Sequence, residues 1–156
     1  MAVKPVPDGY HAVTPYLVVD GAAKAIDLYK KVFGATEKFR MGGPGDKVMH
    51  AELKVGDSVV MIADEQPQMG FRGPLALGGT PVSIMLYVNN VDDVAGKLTA
   101  AGGKTLRPAQ NQFWGDRMGT YTDPFGHIWS IATHVEDVPP QEMQKRAEAA
   151  MQQHTH

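Results

Sequence analysis

An internal repeat is the feature of this sequence that most constrains its fold. At a fixed offset of 69 residues, the segment PYLVVDGAAKAIDLYKKVFGAT, which starts at Pro15, aligns with IMLYVNNVDDVAGKLTAAGGKT, which starts at Ile84. In both copies the apolar residues form a short continuous run and then recur at helical spacing. A glycine follows each helical pattern, Gly34 in the first copy and Gly103 in the second, where a helix end needs left-handed dihedral angles. The repeat therefore predicts two related modules that each begin with a strand and a helix.

Each copy continues with three extended segments, so that each module is predicted to be β-α-β-β-β. In the second copy the turn DPFG joins the last two of these segments. We predict one domain over residues 1–136, with module one at about 10–66, a proline- and glycine-rich linker at about 67–81 and module two at about 82–136. A helical tail opened by proline is predicted over residues 137–156.

The composition excludes several classes of function. Fifteen Lys and Arg against 17 Asp and Glu give a net charge of −2, so we expect neither nucleic acid nor a membrane surface as a partner. The chain has no cysteine, which excludes disulfides, thiolate metal sites and a cysteine nucleophile. It has no apolar run of signal-peptide or membrane-spanning length, and we expect a cytoplasmic protein.

Paired β-α-β-β-β modules of this size resemble the vicinal oxygen chelate superfamily, which includes glyoxalase I, extradiol dioxygenases and the fosfomycin- and bleomycin-resistance proteins. The segments TPYLVVDGAAKAIDLYKKVFGA, VMHAELKVGDSVVMIAD and FWGDRMGTYTDPFGHIWS look like its PhnB-like and glyoxalase-like subgroup. The resemblance implies an α+β fold, in which two tandem modules form a curved mixed sheet around a concave cavity. It also implies a homodimer, whose modules the linker could exchange between chains.

Strand alternation predicts which residues face such a cavity. In HAELKV, the apolar Ala51, Leu53 and Val55 should lie under the helix, which leaves His50 and Glu52 on the cavity side. Strand alternation and, for Trp114 and Arg117, the family resemblance lead to a set of candidate ligand-binding residues, with His50 and Glu52 as candidate catalytic residues. The ligand-binding set is Tyr16, His50, Glu52, Met85, Tyr87, Trp114, Arg117 and Thr120.

Two aromatic residues of the last segments are predicted to differ in role. Trp129 alternates with inward residues in HIWSI and should belong to the core. The segment WGDR is similar to the tryptophan-glycine-arginine segment at the pocket edge of bleomycin-resistance-type members. That likeness implies that Trp114 and Arg117 contact a bulky planar ligand, although Trp114 could equally plug a hairpin.

The resemblance also implies four positions for metal ligands, and this sequence departs from the pattern at all of them. The positions fall on Thr14, Val60, Ser83 and Ser130. Hydroxyl groups and a valine do not provide the imidazole and carboxylate ligands of Zn²⁺, Ni²⁺ or Fe²⁺, so no metal and no cofactor is predicted. The alternative is a divalent metal, Zn, Ni, Mn or Fe, at a non-standard site around His50 and Glu52.

Two functions of different classes follow from these residues. The first is a metal-free protein that binds a small aromatic or amphipathic molecule, with tyrosine and tryptophan side chains as its stacking surface. The second is a glyoxalase-like isomerase, lyase or dioxygenase. It would use a non-standard metal site around His50 and Glu52, or His50 alone as general base. The missing metal ligands favour the first function, and the inward His–Glu pair supports the second.

Overall fold

The structure is a computed structural model that describes residues 2–154. Met1, Thr155 and His156, the last two at the end of the predicted tail, lie outside the described residues. Each repeat copy forms one four-stranded mixed sheet with a helix, so that the predicted α+β fold of two β-α-β-β-β modules is confirmed.

The first module forms a sheet in the order β1-β4-β3-β2. Its first and last strands in the chain pair in parallel, and the other pairs are antiparallel. The elements are β1 (Tyr16–Val19), α1 (Ala22–Phe33), β2 (Thr36–Gly42), β3 (Val48–Val55) and β4 (Ser58–Asp64). Because α1 connects β1 with β2, which form opposite edges of the sheet, it crosses one face of the sheet, and the face opposite α1 carries the alternate side chains of each strand.

The second module repeats this arrangement in the order β5-β8-β7-β6. The first and last strands are again the parallel pair. The elements are β5 (Ser83–Tyr87), α3 (Val91–Ala100), β6 (Lys104–Asn111), β7 (Asp116–Thr122) and β8 (Ile128–His134). In each module the face opposite the helix is called the open face below.

The chain divides into two compact units. The first unit extends to Val82 and also includes the turn Asp123–His127, and the second comprises Ser83–Thr122 and the chain from Ile128 onward. The linker belongs to the first unit and contains a single 3-10 turn at Pro67–Met69 and the short helix α2 (Pro74–Leu77). The predicted tail helix is present as α4 (Pro140–Gln153), and none of the described helices is long and apolar enough to cross a membrane.

The two modules satisfy the first turn of their main helix with equivalent residues. In the first module the buried carboxylate of Asp64 accepts a hydrogen bond from the backbone N–H of Ala22, at 2.9 Å. In the second module the hydroxyl of Thr133 accepts one from the N–H of Val91, also at 2.9 Å. Both the acceptors and the donors are separated by the repeat offset of 69 residues. The last strand of each module thus fixes the start of its helix.

The helix ends differ from the prediction in the second module. Gly34 ends α1 with φ of 68°, as the sequence indicates. In the second module the left-handed residue is Gly102, with φ of 104°, rather than Gly103. Gly103 is instead a site of close packing, since a Cβ there would lie 2.8 Å from the Leu98 side chain and 2.9 Å from the Thr122 carbonyl oxygen.

The DPFG turn belongs structurally to the first unit. The Asp123 carboxylate accepts hydrogen bonds from the N–H groups of Phe125 and His127 and from the buried hydroxyl of Tyr29, the last at 2.5 Å. His127 donates from Nε2 to the Val18 carbonyl oxygen at 3.0 Å. The turn is therefore held by a carboxylate at its first position and by contacts with β1 and α1.

Candidate functional site

His50 and Glu52 lie on β3, on the open face of the first sheet. Their neighbours Ala51 and Leu53 are fully buried on the helix side, so the predicted alternation of β3 is present in the structure. Across the sheet, Glu52 pairs with Met61 of β4. The open face of the first sheet therefore carries an imidazole and a carboxylate two residues apart.

Four side chains on this face form a continuous chain of hydrogen bonds, called the β3 chain below. The Tyr16 hydroxyl is 2.8 Å from Nδ1 of His50, and Nε2 of His50 is 2.8 Å from Oε2 of Glu52. The other carboxylate oxygen of Glu52 accepts a hydrogen bond from the hydroxyl of Tyr10. The β3 chain thus engages both nitrogens of His50 and both oxygens of Glu52.

The ionisation of these groups follows from their contacts. Hydrogen bonds from Tyr10 and His50 lower the pKa of Glu52, so this carboxylate is ionised at neutral pH. Partial burial and the nearby negative charge of Glu52 raise the pKa of Tyr16. The hydrogen bond to Glu52 is the main cause that raises the pKa of Tyr10. Both phenols therefore keep their protons, and the β3 chain has one negative charge, on Glu52.

An apolar cavity of about 500 Å³ adjoins the β3 chain within the first unit. Its apolar lining consists of Tyr16, Val18, Met49, Ala63, Met69 and Phe71. The polar lining residues are Asp64 and Gln66. Tyr16 belongs to both the cavity and the β3 chain, since it lines the cavity and its hydroxyl bonds to His50. The volume lies within the range that small-molecule sites commonly have, and most of the lining residues are apolar.

A second cluster occupies the open face of the second sheet, around the buried carboxylate of Asp116. It accepts hydrogen bonds from the hydroxyl of Tyr87 at 2.9 Å and from the indole N–H of Trp114 at 3.1 Å. Its other oxygen lies 2.8 Å from Nδ1 of His134, and the opposite nitrogen of that imidazole is 2.7 Å from Asp137. Asp116 therefore fixes two aromatic rings that the sequence placed in a ligand site.

In this second cluster, the hydrogen bond between Asp116 and His134 favours the charged form of both groups. Burial raises the pKa of Asp116, but the hydrogen bonds from His134, Tyr87 and Trp114 outweigh it, so the net shift is downward. The hydrogen bonds to Asp116 and Asp137 raise the pKa of His134. An imidazole between two carboxylates can donate from both nitrogens only when it is protonated.

The remaining predicted residues fall on both faces of the second sheet. Met85 and Thr120 lie on the open face, where both pair with Ser130 of β8. Arg117 does not join them. It points to the helix side, where its guanidinium makes two hydrogen bonds with the Asp92 carboxylate at the start of α3. The structure therefore does not bring Arg117 together with the other predicted residues, because Asp116 and not Arg117 occupies the open-face position of β7.

The structure also adds residues that the sequence analysis did not select. Tyr10 lies in irregular chain before β1, where no periodicity indicates a direction. The sequence does not single out Asp116, because an acidic residue in a turn-rich segment usually faces solvent. Its place directly after the tryptophan-glycine pair is the one signal that could have identified it. Trp129, predicted to be core, is 1% exposed, and this prediction is confirmed.

A larger cavity, of about 840 Å³, lies beside the start of α1 in the first unit. Its lining includes charged residues of both signs, among them Asp20, Asp46, Lys24 and Lys47. The carboxylate of Asp64 at its base is already used by backbone N–H groups. Polar and apolar surface contribute about equally to this lining, whereas the lining of the 500 Å³ cavity is mainly apolar.

Sequence comparison assigns the family. The model of the Glyoxalase/Bleomycin resistance protein/Dioxygenase superfamily matches residues 10–131, and the chain therefore belongs to this superfamily. The uncharacterized protein Mb0911c of Mycobacterium bovis is 45% identical over 136 residues, a match that covers 85% of this chain and 90% of the relative.

Solved structures share the fold. TioX from Micromonospora sp. ML1 is similar with a TM-score of 0.63 and 28% identity, over 80% of this chain and 99% of TioX. A putative 3-demethylubiquinone-9 3-methyltransferase, the PhnB protein of Bacillus cereus, has a TM-score of 0.62 and 20% identity, over 79% of this chain and 99% of the neighbour. At that identity the second likeness shows the fold alone.

The metal-ligand positions implied by the superfamily do not fit a metal in this chain. Val60 was expected at one of them, but it pairs with Leu53 on the buried helix side, and Met61 occupies the open-face position instead. The set is then Thr14, Met61, Ser83 and Ser130, which supplies hydroxyls and a thioether rather than imidazole and carboxylate groups. Within residues 2–154, no three His, Asp or Glu side chains are grouped so as to hold a metal ion.

Added Zn²⁺, Ni²⁺ or Mn²⁺ should therefore raise the melting temperature by less than about 1 °C. A site occupied at a hundredfold excess over Kd would stabilise the protein by about 2.7 kcal/mol, which corresponds to several degrees for a chain of this size. Differential scanning fluorimetry with and without EDTA measures the effect. A rise of several degrees that EDTA reverses would contradict the prediction and restore the metal-dependent alternative.

Proposed function

We propose that this protein binds a small aromatic or amphipathic molecule, without a metal, in the 500 Å³ cavity of its first unit. The observation that carries the proposal is the position of Tyr16, which joins an apolar cavity to an ordered polar group. Sites for small molecules commonly combine such apolar walls with a few fixed polar contacts. The TioX and PhnB structures share the fold of this chain but do not identify its ligand, so the proposal rests on the cavity itself.

Each side chain has a distinct part in this proposal. The rings of Tyr16 and Phe71 provide flat apolar surface, and Met49 and Met69 provide side chains that adapt to the shape of a ligand. The β3 chain supplies the polar end of the cavity, where His50 and Glu52 keep the Tyr16 hydroxyl in one orientation.

The open face of the second sheet is a second aromatic surface in the proposal. Its components are Met85, Tyr87, Trp114 and Thr120, and Asp116 holds the two aromatic side chains. Trp114 is partly buried, has its indole N–H bonded to Asp116 and meets the ring of Phe113 in a T-shaped contact at 5.0 Å, so its ring is held in one orientation.

One observation favours an enzyme as a second candidate. Glu52 accepts from Nε2 of His50, which leaves the lone pair of a neutral imidazole on Nδ1, as in a general base oriented by a carboxylate. In the described conformation, however, the Tyr16 hydroxyl occupies Nδ1. His50 could take a proton from a ligand only after Tyr16 moved away, and this occupation favours binding over proton transfer.

The predicted homodimer stays a proposal, as does the cytoplasmic location. Several large apolar side chains on the open faces are about half exposed, including Tyr16, Phe39, Met85 and Tyr87. Phe39 pairs with Glu52 across the sheet and therefore lies on the same face as the β3 chain. A second copy of the chain could cover part of this apolar surface.

The neutral fluorescent probe N-phenyl-1-naphthylamine should bind with a stoichiometry of one probe molecule per protein chain. Its fluorescence should rise when it enters the apolar cavity. Val18→Phe should abolish this binding because it fills the cavity. His50→Ala should weaken it by at most about fivefold, since it removes the hydrogen bond that orients the Tyr16 hydroxyl and a net hydrogen bond contributes about 1 kcal/mol. A fluorescence titration measures these changes.

Lys54→Ala is the matched control, because Lys54 is exposed on the same strand and is not part of the cavity lining. Its binding curve should match that of the unmodified protein. Equal binding by Val18→Phe would show that the probe does not occupy this cavity, and the proposed function would then be rejected.

A further inference from the structure

We propose that the 500 Å³ cavity selects aromatic ligands that donate a hydrogen bond and carry no negative charge. Their O–H or N–H group would bond to the hydroxyl oxygen of Tyr16. This inference rests on the proposed function and names the chemical class of its ligand. It follows from the direction in which the β3 chain donates its hydrogen bonds and from the charges that surround the cavity.

The direction of the β3 chain is fixed at Glu52. An ionised carboxylate has no proton to donate, so it accepts from both Tyr10 and His50. Nε2 of His50 must then carry the proton, because a lone pair facing the carboxylate at 2.8 Å would be repelled. In the neutral imidazole Nδ1 is therefore an acceptor, and it accepts from the Tyr16 hydroxyl.

Tyr16 presents the cavity with an acceptor as a result. Its single hydroxyl proton is committed to His50, and the remaining hydrogen-bonding capacity of the oxygen is its lone pairs. A ligand O–H or N–H group satisfies this oxygen without a change in the β3 chain. A ligand that only accepts would need the hydroxyl to turn away from His50, which would leave Nδ1 without its donor.

The other polar groups of the cavity are Asp64 and Gln66. The Asp64 carboxylate is an acceptor and has backbone N–H groups as its donors. The Gln66 amide has two N–H groups and an acceptor oxygen, and it donates from Nε2 to the sulfur of Met49 at 3.6 Å. Among the described residues that line the cavity, none is a lysine or an arginine.

The charge around the site disfavours anions. Asp64 lines the cavity, and Glu52 lies behind the Tyr16–His50 pair. The cation that faces the β3 chain is Lys38, whose ammonium group lies over the ring of Tyr10 at 4.2 Å, at the opposite end of the chain from Tyr16. A carboxylate or sulfonate ligand would enter this cavity without a counter-ion, at a considerable desolvation cost.

Three naphthalene probes of nearly the same size test the inference at pH 7. They are 2-naphthol, which donates, 2-methoxynaphthalene, which only accepts, and 2-naphthoate, which is an anion. We expect 2-naphthol to bind at least about fivefold more tightly than 2-methoxynaphthalene, and 2-naphthoate to bind most weakly. In Tyr16→Phe the ratio of the first two dissociation constants should fall to within about twofold.

Tyr121→Phe is the control, because it removes a hydroxyl from a buried tyrosine on the helix side of the second sheet and should keep the full ratio. Equal affinities for 2-naphthol and 2-methoxynaphthalene in the unmodified protein would overturn the inference and leave the proposed function standing. A ratio that persists in Tyr16→Phe would overturn it as well. Failure of all three probes to bind would reject the proposed function, and the inference with it.

Discussion

Leu53→Ala should lower the free energy of unfolding by about 2–5 kcal/mol, as for large core residues truncated to alanine. Leu53 lies on β3, and its side chain is fully buried on the helix side of the first sheet, where it is paired with Val60 of β4. Its truncation removes apolar contacts and leaves a cavity that the surrounding strands can close only in part. Urea denaturation followed by circular dichroism measures the change.

His50→Ala is the matched comparison on the same strand. His50 lies on the open face with about a fifth of its side chain exposed, so water can replace its hydrogen bonds to Tyr16 and Glu52. We expect the free energy of unfolding of this variant to fall by less than about 1 kcal/mol. If His50→Ala unfolded the protein while Leu53→Ala did not, the assignment of faces along β3 would be wrong by one residue, and the site built on it would be withdrawn.

The repeat and the period of two explain how much could be predicted from the sequence. The repeat predicts both modules, because a duplicated pattern leaves few alternative folds. Within β3, three buried apolar residues alternate with polar ones, which places His50 and Glu52 together on one face. Tyr16 follows from the same reasoning on β1, and these three predicted residues are the ones that the structure joins by hydrogen bonds.

The errors occurred where the alternation was weak. In SVVMIAD nearly every residue is apolar, so the sequence does not distinguish Val60 from Met61, and the structure places Met61 on the open face. In β7 the residues Asp116 and Arg117 are both charged, and neither indicates by its polarity which one faces inward. Only the contacts with Tyr87 and Asp92 decide between them, and those contacts come from distant parts of the chain.

Residues outside regular elements could not be predicted for a different reason. Tyr10 reaches Glu52 from irregular chain, 42 residues away in sequence, and Phe71 reaches the cavity from the linker. No periodic pattern encodes such contacts, since they depend on the path of the loop. Strands could therefore be used to predict the polar part of the site, whereas part of the cavity wall required the structure.

Asp64→Ala should be about as destabilising as Leu53→Ala, at roughly 3–5 kcal/mol, although it removes a polar residue. Asp64 is 4% exposed, and its carboxylate accepts three backbone hydrogen bonds. Two come from Gly21 and Ala22 at the start of α1, and the third comes from Val48 at the start of β3. Without the carboxylate, these N–H groups and the positive end of the helix dipole lose their acceptor.

Asp64→Asn separates the charge from the shape of the side chain. The amide oxygen can still accept from Gly21 and Ala22, but the amide nitrogen would face the N–H of Val48, donor against donor. We therefore expect Asn to recover only part of the lost free energy of unfolding, and hydrogen exchange should show reduced protection at Val48 in particular.

Thr133→Val is the comparison at the equivalent position of the second module. It removes one helix cap and should lower the free energy of unfolding by about 1 kcal/mol. If Asp64→Ala cost no more than Thr133→Val, the carboxylate would not be what joins α1 to β3 and β4.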